Sequence, residues 1–171
     1  MADIPLRQHL YLMRHAHALG QGTARSDFER SLSPRGQHEA AEAAVWIAAQ
    51  QPKPEKIVAS TAARTGETAA IVMAAVGLTG IQWLPALYHA ELDAWIRLVE
   101  RHLDGRPLLL IGHNPVMEQG TRHLLAPDTS EQRPGYFATA AVVHLTVPAG
   151  EGLIAGAGGL VAAFQPPAGS A

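Results

Sequence analysis

His9-Leu10-Tyr11-Leu12-Met13 runs without a charged residue and then breaks at Arg14-His15-Ala16-His17. A short apolar run without polar alternation is the pattern of a strand covered on both faces, as in a parallel sheet with helices on either side. The signal returns at Lys56-Ile57-Val58-Ala59, Ile81-Gln82-Trp83-Leu84 and Pro107-Leu108-Leu109-Leu110-Ile111. Helical stretches separate these runs. Ser33 before Pro34 is a cap followed by a first-turn proline, opening a helix to about Gln50, where Pro52 and Pro54 forbid continuation. A second helix follows Ser60 and ends near Gly77. A third, Glu91 to Leu103, places Leu92, Ile96, Val99 and Leu103 on one stripe. Asn114 and Pro115 repeat the cap-plus-proline signature for a fourth. Phe137 to Val147 and Leu160 to Phe164 read as strands of a closing hairpin around the Gly/Ala-rich stretch Ala149 to Gly159. Strand alternating with helix predicts a three-layer α/β/α sandwich with a mostly parallel central sheet.

Length and charge narrow the classes. The chain has 171 residues, enough for one domain but well short of the roughly 250 of a TIM barrel. Residues 1–165 read as a single domain and 166–171 as a loose tail. Thirteen Lys+Arg against fifteen Asp+Glu give a formal net charge of -2, so no global basic field is present to hold nucleic acid or anionic lipid. Phosphate recognition, if any, must be local. The absence of cysteine excludes a disulfide framework, a thiolate zinc site and a cysteine nucleophile. No apolar run approaches the ~20 residues of a membrane span and the start lacks a leader pattern, so a cytoplasmic location without membrane association is expected. Nine His and eleven Arg stand against two Lys, within a composition rich in alanine.

In an open α/β sheet, ligands bind beyond the carboxyl ends of the strands. Arg14-His15 follows the first predicted strand, Ser60 through Arg64 the second, and Gly112-His113-Asn114-Pro115 the fourth. Arg14, His15, Arg64 and His113 therefore meet at one rim, with helix N-termini whose free N–H groups attract anions. That is a phosphate site without lysine. An Arg fork matches two phosphoryl oxygens, each charge-assisted bond contributing on the order of 1.5 to 3 kcal/mol, and a neutral imidazole is a competent nucleophile toward phosphorus. Cationic neighbours keep His15 unprotonated near neutral pH, and a second histidine can donate to the transferring group.

Leu12-Met13-Arg14-His15-Ala16 resembles the Arg-His-Gly signature of the histidine phosphatase (phosphoglycerate-mutase-like) superfamily, in the Arg-His-Ala form of its small SixA-type phosphohistidine phosphatase branch. Asp27 through Gly36, Ser60 through Thr68, Leu87-Tyr88-His89-Ala90, Ile111 to Asn114 and Phe137 to Ala140 fall in the order that branch uses, so the resemblance spans nearly the whole chain. It implies the histidine phosphatase fold, a phospho-His15 intermediate, a clamp of Arg14 and Arg64 on the phosphoryl oxygens, and His113 as the remaining positive donor, without metal or cofactor. Asn114 and Arg30 are candidate substrate contacts. His17 stands where many relatives carry an acidic residue. Acid-bearing relatives place Glu or Asp after the third strand; here the nearest position is His89, with Glu91 and Asp93 behind it, so His89 or Glu91 is the candidate general acid. Protonating a leaving alkoxide contributes roughly 10² to 10⁴-fold, but a phosphohistidine leaves as neutral imidazole once its ring is protonated. The expected substrate is thus phosphohistidine on a protein, such as a phosphotransfer domain, ahead of a small sugar or nucleotide phosphate ester.

Blander readings accompany each residue. His15, His17, His113 and Glu91 are also the donor types of a divalent-metal hydrolase, although Arg14 and Arg64 would repel the cation. The constellation also fits a phosphate-binding module without catalysis. Arg64 fits a solvated pair with Glu67, Asn114 a simple helix cap, His89 a surface loop, and Arg30 and Arg35 plain exposure. His9, His38, His102, His123 and His144 read as structural or solvent-facing.

Overall fold

The computed structural model describes residues 6–127 and 136–167. Six strands form one sheet: β1 (Arg7–Arg14), β2 (Lys56–Ala59), β3 (Gln82–Trp83), β4 (Leu108–Gly112), β5 (Val142–Pro148) and β6 (Gly159–Phe164). Their spatial order is β3-β2-β4-β1-β5-β6. β3, β2, β4 and β1 pair in parallel, while β5 runs antiparallel to both β1 and β6. The sheet is thus mostly parallel with an antiparallel closing hairpin, as the sequence pattern predicts.

Among the described residues, the helices α1 (Pro34–Ala49), α2 (Ala63–Val76), α3 (Leu92–Glu100) and α4 (Val116–Leu124) complete the layers. Alternate residues of β1 serve two cores. Tyr11 and Met13 pack with Ala40, Ala43 and Ile47 of α1 and Ala69 and Val72 of α2. Leu10 and Leu12 pack with Trp95 and Val99 of α3 and Val116, Met117 and Leu124 of α4. Covering both faces explains why the run carries no polar alternation. Gly120 is required where α3 crosses α4, since a Cβ there would lie 2.5 Å from the Trp95 ring.

The local signals resolve in detail. Ser33 caps α1, its hydroxyl accepting from the Gly36 amide at 3.0 Å, and Gly77 ends α2 in the left-handed region at φ 79°. Three expectations change. α3 ends at Glu100 rather than Leu103. The final strand pair begins at Val142, not Phe137, because the chain turns at Ala138–Ala141, with Ala140 at φ 56°. Asn114 does not cap α4; the peptide to Pro115 is cis, and the Asn114 amide donates instead to the Phe137 carbonyl at 3.0 Å. No described helix is long and apolar enough to cross a membrane. Part of the expected loose tail, residues 168–171, lies outside the described residues.

Candidate active site

Because β1, β2 and β4 are parallel neighbours, their carboxyl ends lie side by side, and the residues just past those ends are brought to one place. His15 is held by its backbone first. Its amide donates to Gly112 at 3.0 Å and its carbonyl accepts from Ala140 at 3.2 Å, between the end of β4 and the turn before β5. Its ring Nδ1 lies 2.7 Å from the Ala16 carbonyl, which only accepts, so the proton resides on Nδ1. Nε2 lies 3.2 Å from Nε of Arg64, which only donates. The Nε2 lone pair therefore faces the site. Burial pushes the His15 pKa down to about 3, the Ala16 bond opposing and His113, Arg64 and Arg14 adding to the fall.

Around this ring stand the other predicted residues. Arg14 donates to the Phe137 carbonyl at 3.0 Å and the Tyr136 hydroxyl at 3.1 Å, and its buried Nε has no partner among the described residues. The His113 ring centroid lies 5.1 Å from that of His15. Its Nε2 contacts the Ser60 hydroxyl at 2.8 Å and Thr65 at 3.3 Å. Burial, then the Arg64 charge, lowers the His113 pKa to about 4, which favours a neutral ring in the free protein. Arg64 is buried and does not pair with Glu67, whose carboxylate instead accepts from the Leu32 amide at 2.9 Å.

Arg64 binds Asp27, a residue that sequence reasoning passed over. Asp27 begins a 3-10 turn, Asp27–Glu29, and offers Arg64 both its backbone carbonyl at 2.6 Å and its carboxylate at 3.0 Å. The same carboxylate accepts from Arg30 at 2.8 and 3.0 Å and from the Tyr88 hydroxyl at 2.6 Å. These bonds, the Tyr88 one foremost, hold the Asp27 carboxyl well below the usual carboxylate range. Tyr88 also presents its ring edge-on to His113 at 5.3 Å. Arg30 is half-buried, its guanidinium engaged by Asp27 and the Leu19 carbonyl.

His17 has a supporting place. Its Nδ1 lies 2.7 Å from the Ser33 hydroxyl and its amide donates to buried Glu39 at 3.0 Å. Arg35, exposed as expected, completes that tie at 2.7 Å from Glu39. Gly36 is needed because a side chain there would collide with the His17 carbonyl. With His17 turned to Ser33, the described residues bring no three His, Asp or Glu side chains close enough to hold a metal ion. A cavity of about 590 Å³ opens beside His113, lined by Tyr88, His89, Glu91, Asn114 and Gln119. His89 and Glu91 are exposed on its wall. Elsewhere His102 bonds the Leu98 carbonyl at 2.6 Å, His38 pairs with Glu42 at 3.5 Å, and His9 meets fully buried His144 at 2.8 Å.

A parallel sheet that gathers a buried lone-pair histidine, a second histidine and two arginines at its strand ends defines a class, the phosphoryl-handling α/β proteins. The model of the histidine phosphatase superfamily, branch 1, matches residues 10–96, and the chain belongs to that superfamily. It is a phosphatase. Among solved structures it is similar to the protein assigned as phosphohistidine phosphatase SixA from Agrobacterium tumefaciens, with 26% identity, a TM-score of 0.80, and 93% of this chain and 98% of that one covered. A protein so assigned from Nakamurella multipartitia shares 26% identity at a TM-score of 0.74, covering 95% of this chain and 98% of the other. A mycobacterial glucosyl-3-phosphoglycerate phosphatase, at 18% identity and a TM-score of 0.61 with 92% and 98% covered, shares the fold. No curated protein matches the sequence.

Proposed function

We propose that this phosphatase takes a phosphoryl group from a phosphohistidine on a protein onto His15 Nε2 and then passes it to water. The pinned tautomer of His15 carries the reading: a ring whose Nδ1–H is held by Ala16 at 2.7 Å presents a neutral lone pair without any base having to remove a proton first. Nε2 attacks phosphorus, the bond from phosphorus to the substrate nitrogen breaks, and the electron pair leaves on that nitrogen. Water then attacks phospho-His15, the P–N bond returns its pair to Nε2, and the water proton departs with phosphate or to solvent. Arg14 and Arg64 supply charge for the phosphoryl oxygens and His113 supplies an N–H, an arrangement suited to charge that builds up in transfer. Asn114 supports Arg14 by holding the same Phe137 carbonyl.

The choice of phosphohistidine rests on the leaving-group side. The side chains nearest the expected acid position, His89 and Glu91, stand exposed on the cavity wall. An imidazole that departs already protonated at its other nitrogen has little need of them. The cavity of about 590 Å³ beside His113 also has the size of a small-ligand site, which supports a small phosphate ester as the second reading. A cytoplasmic phosphotransfer domain is the partner this reading favours.

Two measurements test the reading. His15→Ala is expected to abolish both turnover and the trapping of acid-labile phosphate on the protein; trapping that persists overturns the nucleophile. Rates on a phosphohistidine protein, measured beside a panel of sugar and nucleotide monoesters, are expected to favour the former. Faster ester hydrolysis transfers the assignment to the second reading.

A further inference from the structure

Asp27 is a carboxylate in an unexpected place, beside a site built for an anion. Its Oδ2 accepts from Arg64 Nη2 at 3.0 Å and from the Tyr88 hydroxyl at 2.6 Å, while Oδ1 accepts both Arg30 bonds. The four lone-pair positions of a carboxylate are then filled. The same Arg64 guanidinium points Nε at the His15 lone pair. In the free protein one arginine thus bridges the nucleophile and Asp27. Attack on phosphorus needs that lone pair, so Arg64 must exchange His15 for a phosphoryl oxygen. A phosphoryl dianion competes for the rest of the fork as well, and when it takes Nη2 it leaves one Asp27 lone pair open. Asp27 has a side chain 41% exposed, and the Tyr88 whose hydroxyl it holds lines the cavity beside His113. The opened acceptor therefore adjoins the cavity through Tyr88 and is open to solvent, within reach of a leaving group there.

We propose that Asp27 determines specificity for phosphorus–nitrogen substrates: once the phosphoryl takes Arg64 from it, its freed oxygen accepts the ring N–H of a phosphorylated imidazole. This rests on the phosphohistidine reading above and deepens it. The carboxylate holds that ring in its protonated form while the P–N bond breaks, so the electron pair falls on the phosphorylated nitrogen and a neutral imidazole departs, its other nitrogen still carrying the proton. No proton needs to be delivered, and none is taken by Asp27. Ala16 does the same for His15, keeping Nδ1–H in place while Nε2 gains or loses the phosphoryl group. The two imidazoles between which phosphorus moves are then held alike, one by a backbone carbonyl and the other by a carboxylate. A phosphate ester offers Asp27 no such N–H, and a leaving group bearing its own carboxylate or phosphate is repelled by it.

The test compares kcat/KM for phosphoimidazole with that for p-nitrophenyl phosphate, whose leaving group departs as a stable anion, in the wild type, Asp27→Asn and Asp27→Glu. Because both substrates are assayed on one preparation, the ratio is independent of how much of a variant folds. Asp27→Asn is expected to slow both reactions through Arg64 but to lower the phosphoimidazole to p-nitrophenyl phosphate ratio by about tenfold or more, the factor carried by one charge-assisted hydrogen bond. Asp27→Glu is expected to recover part of that ratio. A ratio unchanged in Asp27→Asn overturns the proposal and reduces Asp27 to a support for Arg64. Failure of the underlying reading shows elsewhere, as wild-type turnover with no phosphate trapped on His15.

Discussion

His15, just past the end of β1, and His144, within β5, are both buried histidines, and their surroundings separate a reactive group from a structural one. Burial drives both pKa values down, to about 3 at His15 and about 4 at His144. The His144 ring stacks on Tyr11 at 3.9 Å, in the middle of paired strands, and its Nε2 meets the His9 ring. His15 lies one residue past the end of β1, where its Nε2 faces arginine instead of another core ring. Desolvation makes a histidine neutral; placement at a strand end decides whether its lone pair meets a substrate.

The sharpest break in this comparison is a pair of alanine variants. His15→Ala is expected to remove all detectable turnover while leaving the fold, and His144→Ala to keep kcat while lowering stability by about 2–4 kcal/mol through loss of a buried ring, read by denaturant midpoint. A His144→Ala protein that folds as well as wild type removes the structural half of the contrast. Next in size, Arg64→Ala is expected to reduce kcat/KM by about 10² or more, since one cation near the phosphoryl group and a charge-assisted bond are lost together. Equal activity in that variant places the phosphoryl group elsewhere.

A smaller effect comes from pH. His15, His113 and His144 all have folded pKa values below the unfolded value of about 6.5, so the unfolded chain binds more protons as pH falls. The stability these groups contribute is complete above about pH 6.5 and is lost as pH falls from there to about 4 for His113 and His144 and to about 3 for His15, each group adding a slope of up to about 1.4 kcal/mol per pH unit. His144→Leu is expected to flatten the denaturation profile in that window without touching the pH dependence of kcat, and a profile no flatter than wild type contradicts the buried-neutral assignment. The smallest expected change comes from Ser33→Ala, which removes the α1 cap and the His17 contact for about 1 kcal/mol. If it lowers kcat as well, the His17 tie also positions His15.

Arg14, His15, Arg64 and His113 were legible in the sequence because each closely follows an apolar run, and parallel strands bring their carboxyl ends together whatever the helices between them contain. Asp27 and Tyr88 were not legible as partners. Each lies on or at the edge of a 3-10 turn with no hydrophobic period, and nothing local says that residues 61 positions apart share a hydrogen bond. Asn114 was misread for a related reason: cap chemistry is local, but the Phe137 carbonyl that claims its amide arrives from a distant turn.

Pattern and composition by themselves determined the layers, the mostly parallel order and the rim at which the chemistry collects, because burial on both faces of a strand is written in its run of side chains. Tertiary structure alone decided the His15 tautomer and the presence of a carboxylate on Arg64. Those depend on carbonyls and side chains placed within about 3 Å by the closing of the sheet, a distance that no spacing along the chain encodes.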